Sequence, residues 1–142
     1  MNLTLSYRGD YVVRAALFLA ASWNDHASYS KVKEISDGMR LPLSYTPQIL
    51  GLLSRAGIVE SRAGRGGGYR LTRPPSEVSL LDVVEAADGK LQVERCPIRG
   101  DPCRPEDPCL LHPAWSKAAS AVQDSLGDTA LADLVASRVS SS

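Results

Sequence analysis

This sequence of 142 residues has few aromatic side chains, no long hydrophobic run and no excess of charge of either sign. Its longest apolar stretch, residues 11–23, is interrupted by Arg14, so no segment is expected to span a membrane. The formal net charge of +0 at pH 7 argues against indiscriminate binding to nucleic acid. The first residues do not resemble a secretory signal, and we therefore expect a cytoplasmic protein.

Side chains suited to catalysis are also sparse. No serine or cysteine has a recognisable base nearby, and the adjacent carboxylates of Glu106 and Asp107 lack a second acid–base partner. An enzyme is therefore not predicted. A chain of this length can bury one core and leaves little for a second independent domain, so one domain with an appendage is expected.

The charges that are present are unevenly distributed. Residues 1–80 carry ten Lys and Arg against six Asp and Glu, whereas residues 81–142 carry six against ten. The two parts therefore have net charges of +4 and −4. A basic first half and an acidic second half fit a protein with one DNA-facing side, with random scatter over solvated faces as the alternative.

Cysteine is scarce, yet all three cysteines lie in one short segment. Cys96, Cys103, Cys109 and His112 have the spacing C-x6-C-x5-C-x2-H, and the prolines between them disfavour helix and strand. Three thiols and an imidazole suit either an iron–sulfur cluster or a tetrahedral zinc ion, and spacing alone does not choose between these. The odd number of cysteines argues against a closed disulfide framework. A loop with free or paired cysteines is the alternative.

The first half of the chain has the pattern of a helix-turn-helix. Residues 6–22 predict an amphipathic helix that Ser6 caps and in which Asp10 and Arg14 form an exposed ion pair. Ser30 is expected to cap a second helix that ends at residues 37–38, and Ser44 a third that ends at Gly57. Four side chains at the start of this third helix are predicted to face the major groove: Ser44, Tyr45, Thr46 and Gln48.

A glycine-rich hairpin is predicted to follow. Residues 58–62 and 69–72 alternate like strands, and residues 63–68 join them through a flexible basic tip. No Lys-Ser/Thr pair and no helix follow the glycines, which argues against a nucleotide site. A helix-turn-helix with such a hairpin is a winged helix, in which Arg62, Arg65 and Arg70 would reach phosphates or the minor groove.

The remaining chain predicts three more helices. Ser79 is expected to cap a helix over residues 80–87, Pro113 to stand at the start of a longer helix, and residues 128–139 to form a short one. The longer helix carries an apolar stripe of Trp115, Ala118, Ala119, Val122 and Leu126. Packing on its own domain is one role for this stripe. Pairing with a second copy in a homodimer, on a palindromic double-stranded DNA operator, is the other.

The predicted fold class is therefore mainly α with a small β-hairpin, a winged helix-turn-helix followed by a long dimerisation helix. The expected organisation is a DNA-binding domain over residues 1–78, a cluster-binding loop with dimerisation helices over residues 79–139, and a disordered tail over residues 140–142.

Five stretches, taken together and in order, resemble the winged-helix iron–sulfur transcriptional regulators of the IscR, NsrR and RirA type. They are MNLT, LSYTPQILGLLSRAGIVES, RGGGYRLTRP, LLDVVEAADG and CLLHPAW. The resemblance covers nearly the whole chain. It implies a regulator whose operator affinity is controlled by an iron–sulfur cluster that senses redox state, nitric oxide or iron status.

The resemblance also implies the ligands of the cluster. Cys96, Cys103 and Cys109 would hold it, and two residues match the position of a fourth ligand. His112 falls where IscR-like members place a histidine that ligates a [2Fe-2S] cluster, and Asp10 falls where NsrR-like members place an aspartate that reaches a [4Fe-4S] cluster across the dimer. His112 is slightly favoured because it lies in the same loop. The first cysteine gap, six residues instead of the commoner five, departs from the family pattern.

Two further classes of protein stay open. A structural zinc ion on Cys96, Cys103, Cys109 and His112 would merely staple the loop of a constitutive DNA-binding protein. A small electron-transfer protein would use the cluster without DNA, and binding to duplex DNA with a steep salt dependence would argue against it.

Overall fold

A computed structural model of the chain describes residues 4–24, 28–91 and 110–140. The elements in chain order are α1 (Tyr7–Ala21), α2 (Val32–Met39), α3 (Thr46–Arg55), β1 (Val59–Arg62), β2 (Gly68–Leu71), α4 (Leu80–Asp88), α5 (His112–Asp128) and α6 (Leu131–Ser140). The predicted class, mainly α with a small hairpin, is confirmed. None of the helices in the described part of the chain has the length and apolar character that crossing a membrane requires.

Helix α1 lies at the centre of the core. Its start is capped as predicted, because the Gly9 backbone N–H donates to the Ser6 hydroxyl at 3.0 Å. Its inner face is made of small and branched apolar residues, so α2, α3, α4 and α6 all pack closely against it. The most deeply buried side chains of the core come from seven elements or the turns beside them: Val12, Ile35, Ile49, Leu50, Leu53, Ile58, Leu71, Val78, Val83 and Leu131.

The predicted limits of α2 are wrong at both ends. Ser30 does not cap the helix; its backbone exchanges two hydrogen bonds of 2.8 Å with Tyr69 of β2. The helix also continues through Gly38, where the Phe18 ring of α1 occupies the space of a side chain and would lie 2.4 Å from a Cβ, so glycine serves helix packing there and does not end the helix. It ends at Arg40, whose φ of 55° is left-handed.

The start of α3 is held by a backbone carbonyl and not by Ser44. Tyr45 is the N-cap and makes no side-chain cap bond. The Pro42 carbonyl instead accepts from the backbone N–H groups of Tyr45 at 3.0 Å and Thr46 at 3.1 Å, and from the Thr46 hydroxyl at 2.8 Å. This arrangement fixes the turn between α2 and α3 rigidly to the helix that follows it.

The hairpin and the last helices agree with the prediction. Strands β1 and β2 are antiparallel, with Val59 opposite Leu71 and Arg62 opposite Gly68. Ser79 caps α4 by accepting from the Asp82 backbone N–H at 3.0 Å. The segment before α6 pairs with the segment before α4, and Leu131 is fully buried. Residues from both sides of the expected boundary at residue 78 therefore share one core.

Candidate nucleic-acid interface and cluster ligands

The outer face of α3 is the candidate reading surface. The inner face buries Ile49, Leu50 and Leu53 in the core, which leaves Gln48 exposed on the opposite side, with Ser44 exposed in the preceding turn. The amide of Gln48 can donate to and accept from an adenine edge, and the Ser44 hydroxyl can contact a base or a phosphate. Both side chains therefore remain predicted DNA contacts.

Two other residues that the sequence assigned to this surface have internal partners. Thr46 is 0% exposed, and its hydroxyl donates to the Pro42 carbonyl. The prediction that its side chain faces the groove is therefore wrong, because helical geometry turns it into the core. Tyr45 is 38% exposed and packs edge-on against Tyr11 of α1 with ring centroids 5.9 Å apart. Its ring thus ties the start of α3 to α1.

The hairpin tip presents two exposed cations and is anchored at its base. Arg62 and Arg65 are both exposed, as a phosphate contact requires. Lys31, just before α2, donates through Nζ to the Gly64 carbonyl at 3.1 Å and so fastens the tip to the helix-turn-helix. The pairing of Ser30 with Tyr69 adds a second attachment.

The Arg70 side chain is half-buried and packs along the hairpin instead of extending into solvent. Its Nε donates to the Glu60 carboxylate across the hairpin, and its guanidinium lies 4.8 Å from the centre of the Tyr29 ring. An arginine with these partners stabilises the hairpin against the loop before α2. The structure thus assigns Arg70 a structural position that differs from the free phosphate contact the sequence predicted.

Sequence reasoning missed two cations beside this surface. Lys31 and Arg40 flank α2 at its two ends, and both are exposed. Arg40 stands in the turn that leads to α3 and adopts a left-handed φ of 55°, a conformation that disfavours residues other than glycine. Their positions at the two ends of α2 could have indicated them. The prediction instead placed the ends of this helix at Ser30 and at residues 37–38.

The candidate cluster ligands are only partly described. Cys96, Cys103 and Cys109 lie outside the described residues. His112 is the first residue of α5 and is half-buried. Asp10 forms the predicted ion pair with Arg14 at 2.8 Å, with its side chain 42% exposed. Within residues 4–24, 28–91 and 110–140, no three His, Cys, Asp or Glu side chains are grouped as a metal site requires.

The start of α1 is connected to the end of α4. The Ser6 hydroxyl donates to the Asp88 carboxylate at 2.6 Å, and Arg14, which holds Asp10, also donates to the Met39 carbonyl of α2 at 3.5 Å. The chain enters the cysteine segment soon after Asp88. Hydrogen bonds therefore connect the first half of α1 to two elements. Ser6 links it to the end of α4, and Arg14 links it to α2 of the helix-turn-helix.

Comparison with known proteins identifies the family. Residues 5–137 match the model of Rrf2, described as an iron-dependent transcriptional regulator. The chain belongs to the Rrf2 family. It is 33% identical over 135 residues to the HTH-type transcriptional regulator IscR of Vibrio atlanticus, covering 94% of this chain and 75% of that protein.

Solved structures agree with the fold of this Rrf2 regulator. IscR of T. potens superposes with a TM-score of 0.77 at 26% identity, covering 97% of this chain and 90% of that one. CymR, the global cysteine regulator of B. subtilis, superposes with a TM-score of 0.78 at 24% identity, covering 95% and 98%. The predicted resemblance to IscR-type regulators is thus confirmed. The protein is a DNA-binding transcriptional regulator, and the relatives it matches are named transcriptional regulators.

Proposed function

We propose that this Rrf2 regulator binds its operator with an affinity controlled by an iron–sulfur cluster, and that it senses redox state, nitric oxide or iron status. The observation that carries the proposal is the donor set: three thiols and one imidazole within seventeen residues, joined directly to α5 of a winged-helix protein. The match to a family described as iron-dependent supports the same chemistry.

The fold by itself does not select this function. CymR, which is named a cysteine regulator, shares the fold with the regulators named IscR, and at 26% the CymR of Staphylococcus aureus is as similar to this chain as IscR of T. potens. What favours a cluster here is the soft thiolate set of Cys96, Cys103 and Cys109. Such ligands bind in their deprotonated form, and metal binding coupled to ordering of a loop can supply the free energy that shifts a conformational equilibrium.

His112 is the favoured fourth ligand, and a [2Fe-2S] cluster is slightly favoured over [4Fe-4S]. His112 follows Cys109 by three residues and begins α5, so a ligand there places the cysteine loop directly against that helix. The carboxylate of Asp10 is already engaged by the Arg14 guanidinium at 2.8 Å, and ligation by Asp10 requires this ion pair to open.

The described contacts also suggest how the cysteine segment is connected to the DNA surface. Helix α4 ends at Asp88, eight residues before Cys96 in the sequence, and the Asp88 carboxylate accepts a hydrogen bond from Ser6 at the start of α1. At the other end of α4, Arg73 lies 3.6 Å from the Asp82 carboxylate and donates to the Gly57 carbonyl beside β1 at 3.5 Å. A displacement of α4 therefore acts on both α1 and the base of the hairpin.

The test is anaerobic purification followed by visible absorption spectroscopy and analysis of iron, sulfide and zinc. We expect a coloured protein with about two iron and two sulfide per chain that is lost in His112→Ala. About four per chain, lost in Asp10→Ala but kept in the control Arg14→Ala, would instead establish Asp10 and a [4Fe-4S] cluster. A colourless protein with about one zinc per chain would overturn the sensor proposal and leave a zinc-stapled DNA-binding protein.

A second variant separates the cluster from the fold. Cys103→Ala is expected to abolish the absorption and the dependence of DNA binding on the cluster while the protein stays folded, which circular dichroism checks. An unfolded product would mean that the segment serves structure and not sensing.

We also propose that the protein acts as a homodimer paired through α5. No residue described on α5 is buried, and its stripe is left open, with Trp115 39% and Val122 37% exposed. A cleft of about 410 Å³ lies beside the contact between α4 and α5 and is lined by apolar side chains of both, among them Leu81, Val84 and Leu126. A second copy of this surface would remove the stripe from water and place two reading helices on a palindromic operator.

Sedimentation equilibrium of Val122→Glu tests this pairing. A carboxylate in the stripe is expected to shift the protein from dimer to monomer, because a buried unpaired charge is strongly unfavourable. Ser120→Glu adds the same charge on the opposite side of α5 and is expected to stay dimeric. A dimeric Val122→Glu variant would show that α5 packs elsewhere.

A further inference from the structure

The predicted reading segment carries no charge. From Leu41 to Ser54 the sequence contains no Lys, Arg, Asp or Glu, although Arg40 and Arg55 stand at its two ends. Electrostatic attraction to phosphates must therefore come from the flanks and the hairpin, and this segment can read DNA only through neutral hydrogen bonds and apolar contacts. In the major groove, the apolar group that distinguishes one base from the others is the C5-methyl of thymine.

Gly51 lies in the middle of the outer face of α3. At helical spacing it shares that face with Gln48, three residues before it, and Arg55, four residues after it. Glycine in a helix interior destabilises the helix relative to alanine. A Cβ at Gly51 would meet no atom within 4 Å, whereas a Cβ at Gly38 would lie 2.4 Å from the Phe18 ring. Packing within the protein therefore explains Gly38 and does not explain Gly51.

The missing side chain leaves a notch on the outer face of α3. Its neighbours one turn back are Pro47 and Gln48, both exposed, so the notch has an apolar wall on one side and an amide on the other. Gly51 lies about 4.5 Å further along the helix axis than Gln48, which is close to the separation of adjacent base pairs, about 3.4 Å. With α3 lying along the major groove as the reading helix, the notch would face the base pair next to the one that Gln48 contacts.

We propose that the notch at Gly51 receives the C5-methyl group of a thymine, adjacent to an adenine whose edge Gln48 reads. The inference rests on the proposed role of α3 as the reading helix. Gly51 then acts by what it lacks, since any side chain would occupy the space that the methyl group fills. This makes Gly51 a specificity-determining position, selective for thymine over cytosine or uracil at one base pair in each half-site.

Paired changes in protein and DNA test the proposal. The probe is the duplex of highest affinity that the wild-type protein selects from a randomised pool, with each thymine replaced singly by deoxyuridine, which lacks only the methyl group. For the wild type we expect one position per half-site at which the replacement weakens binding about fourfold, the effect of one buried methyl group. Gly51→Ala adds a methyl group to the protein, and we expect it to weaken binding to the thymine duplex at least about fivefold.

The decisive result is the combination. Gly51→Ala is expected to regain most of the lost affinity on the deoxyuridine duplex at that one position, because the methyl added to the protein replaces the methyl removed from the DNA. Gly127→Ala on α5 is the matched control: it adds the same group to a helix with ordinary space, 3.6 Å from Leu81, and should bind as the wild type does. Both alanine variants should melt at higher temperature than the wild type, which excludes unfolding as the cause.

Two outcomes overturn the inference, and they are distinguishable. Equal affinity of Gly51→Ala and the wild type for the thymine duplex, or equal losses on thymine and deoxyuridine duplexes, would refute the notch while leaving α3 as a reading helix. A wild-type protein that selects no preferred sequence would refute the reading role of α3 itself, and the notch with it.

Discussion

Helix α3 and the hairpin tip are the two parts of the proposed DNA surface, and they are built in opposite ways. α3 is uncharged on its outer face before Arg55, and the core holds it through Ile49, Leu50 and Leu53, each at most 1% exposed. The tip carries exposed arginines and is held by backbone pairing and by the Lys31 amine. Reading of bases and attraction to phosphates are therefore assigned to different elements, one fixed by apolar packing and the other by polar contacts.

The largest effect is expected where the hairpin meets the loop before α2. Gly68 has a φ of 139°, and a Cβ there would lie 2.3 Å from the Ser30 carbonyl oxygen. Gly68→Ala is expected to lower the free energy of unfolding by about 3 kcal/mol, from backbone strain and overpacking together. Denaturant titration measures this change.

Gly66→Ala is the control for that variant. Gly66 has a φ of 75° but open space around it, so only the left-handed conformation is penalised, by about 1–2 kcal/mol. Equal losses in the two variants would mean that the contact with Ser30 does not hold the hairpin in place.

The division of labour itself is tested by Gln48→Ala and Arg65→Ala. Loss of the Gln48 amide is expected to change which sequences are preferred, by about 1–3 kcal/mol at the base pair it reads. Loss of Arg65 is expected to weaken binding to many sequences equally and to lower the salt slope by about one. Binding titrations at several salt concentrations on preferred and altered duplexes measure both. The same pattern of loss in both variants would refute the separation.

Thr46 and Ser44 sharpen the distinction between the inner and outer sides of α3. Thr46→Val removes a buried hydrogen bond, and we expect it to lower the free energy of unfolding by about 1 kcal/mol without changing sequence preference. Ser44→Ala should leave stability unchanged and weaken DNA binding. If the Thr46→Val protein instead kept its stability and changed its DNA-sequence preference, Thr46 would be a DNA contact.

The smallest effect is expected at Arg40. Arg40→Gly should relieve the left-handed backbone and raise the free energy of unfolding by about 0.5 kcal/mol. It should also lower the salt slope of DNA binding by about one, if Arg40 contacts a phosphate. Arg40→Ala loses the same charge but keeps the strained backbone. It should therefore share the change in salt slope without the gain in stability. An equal gain in the free energy of unfolding in Arg40→Gly and Arg40→Ala would refute the backbone explanation.

Several elements were predictable because their signals are local. The capping of α1 by Ser6 and of α4 by Ser79, the Asp10–Arg14 ion pair and the hairpin all depend on residues close in sequence. The limits of α2 were not predictable in this way. The sequence pattern around Gly38 predicts a helix end, but in the structure the Phe18 ring packs against this glycine. The pattern likewise predicts Ser30 as a cap, but Ser30 pairs with Tyr69 of β2.

The sequence by itself therefore determined the winged helix, the exposed cations of the hairpin tip, the uncharged reading segment and the cysteine set, since each is written in spacing or composition. Only the tertiary structure decided which of these side chains are free. Thr46 and Arg70 are residue types that commonly contact DNA. Thr46 is nevertheless buried against Pro42, and Arg70 is held by Glu60 and Tyr29. Their partners lie on other turns and strands, and chain order does not reveal which distant group will satisfy a hydroxyl or a guanidinium.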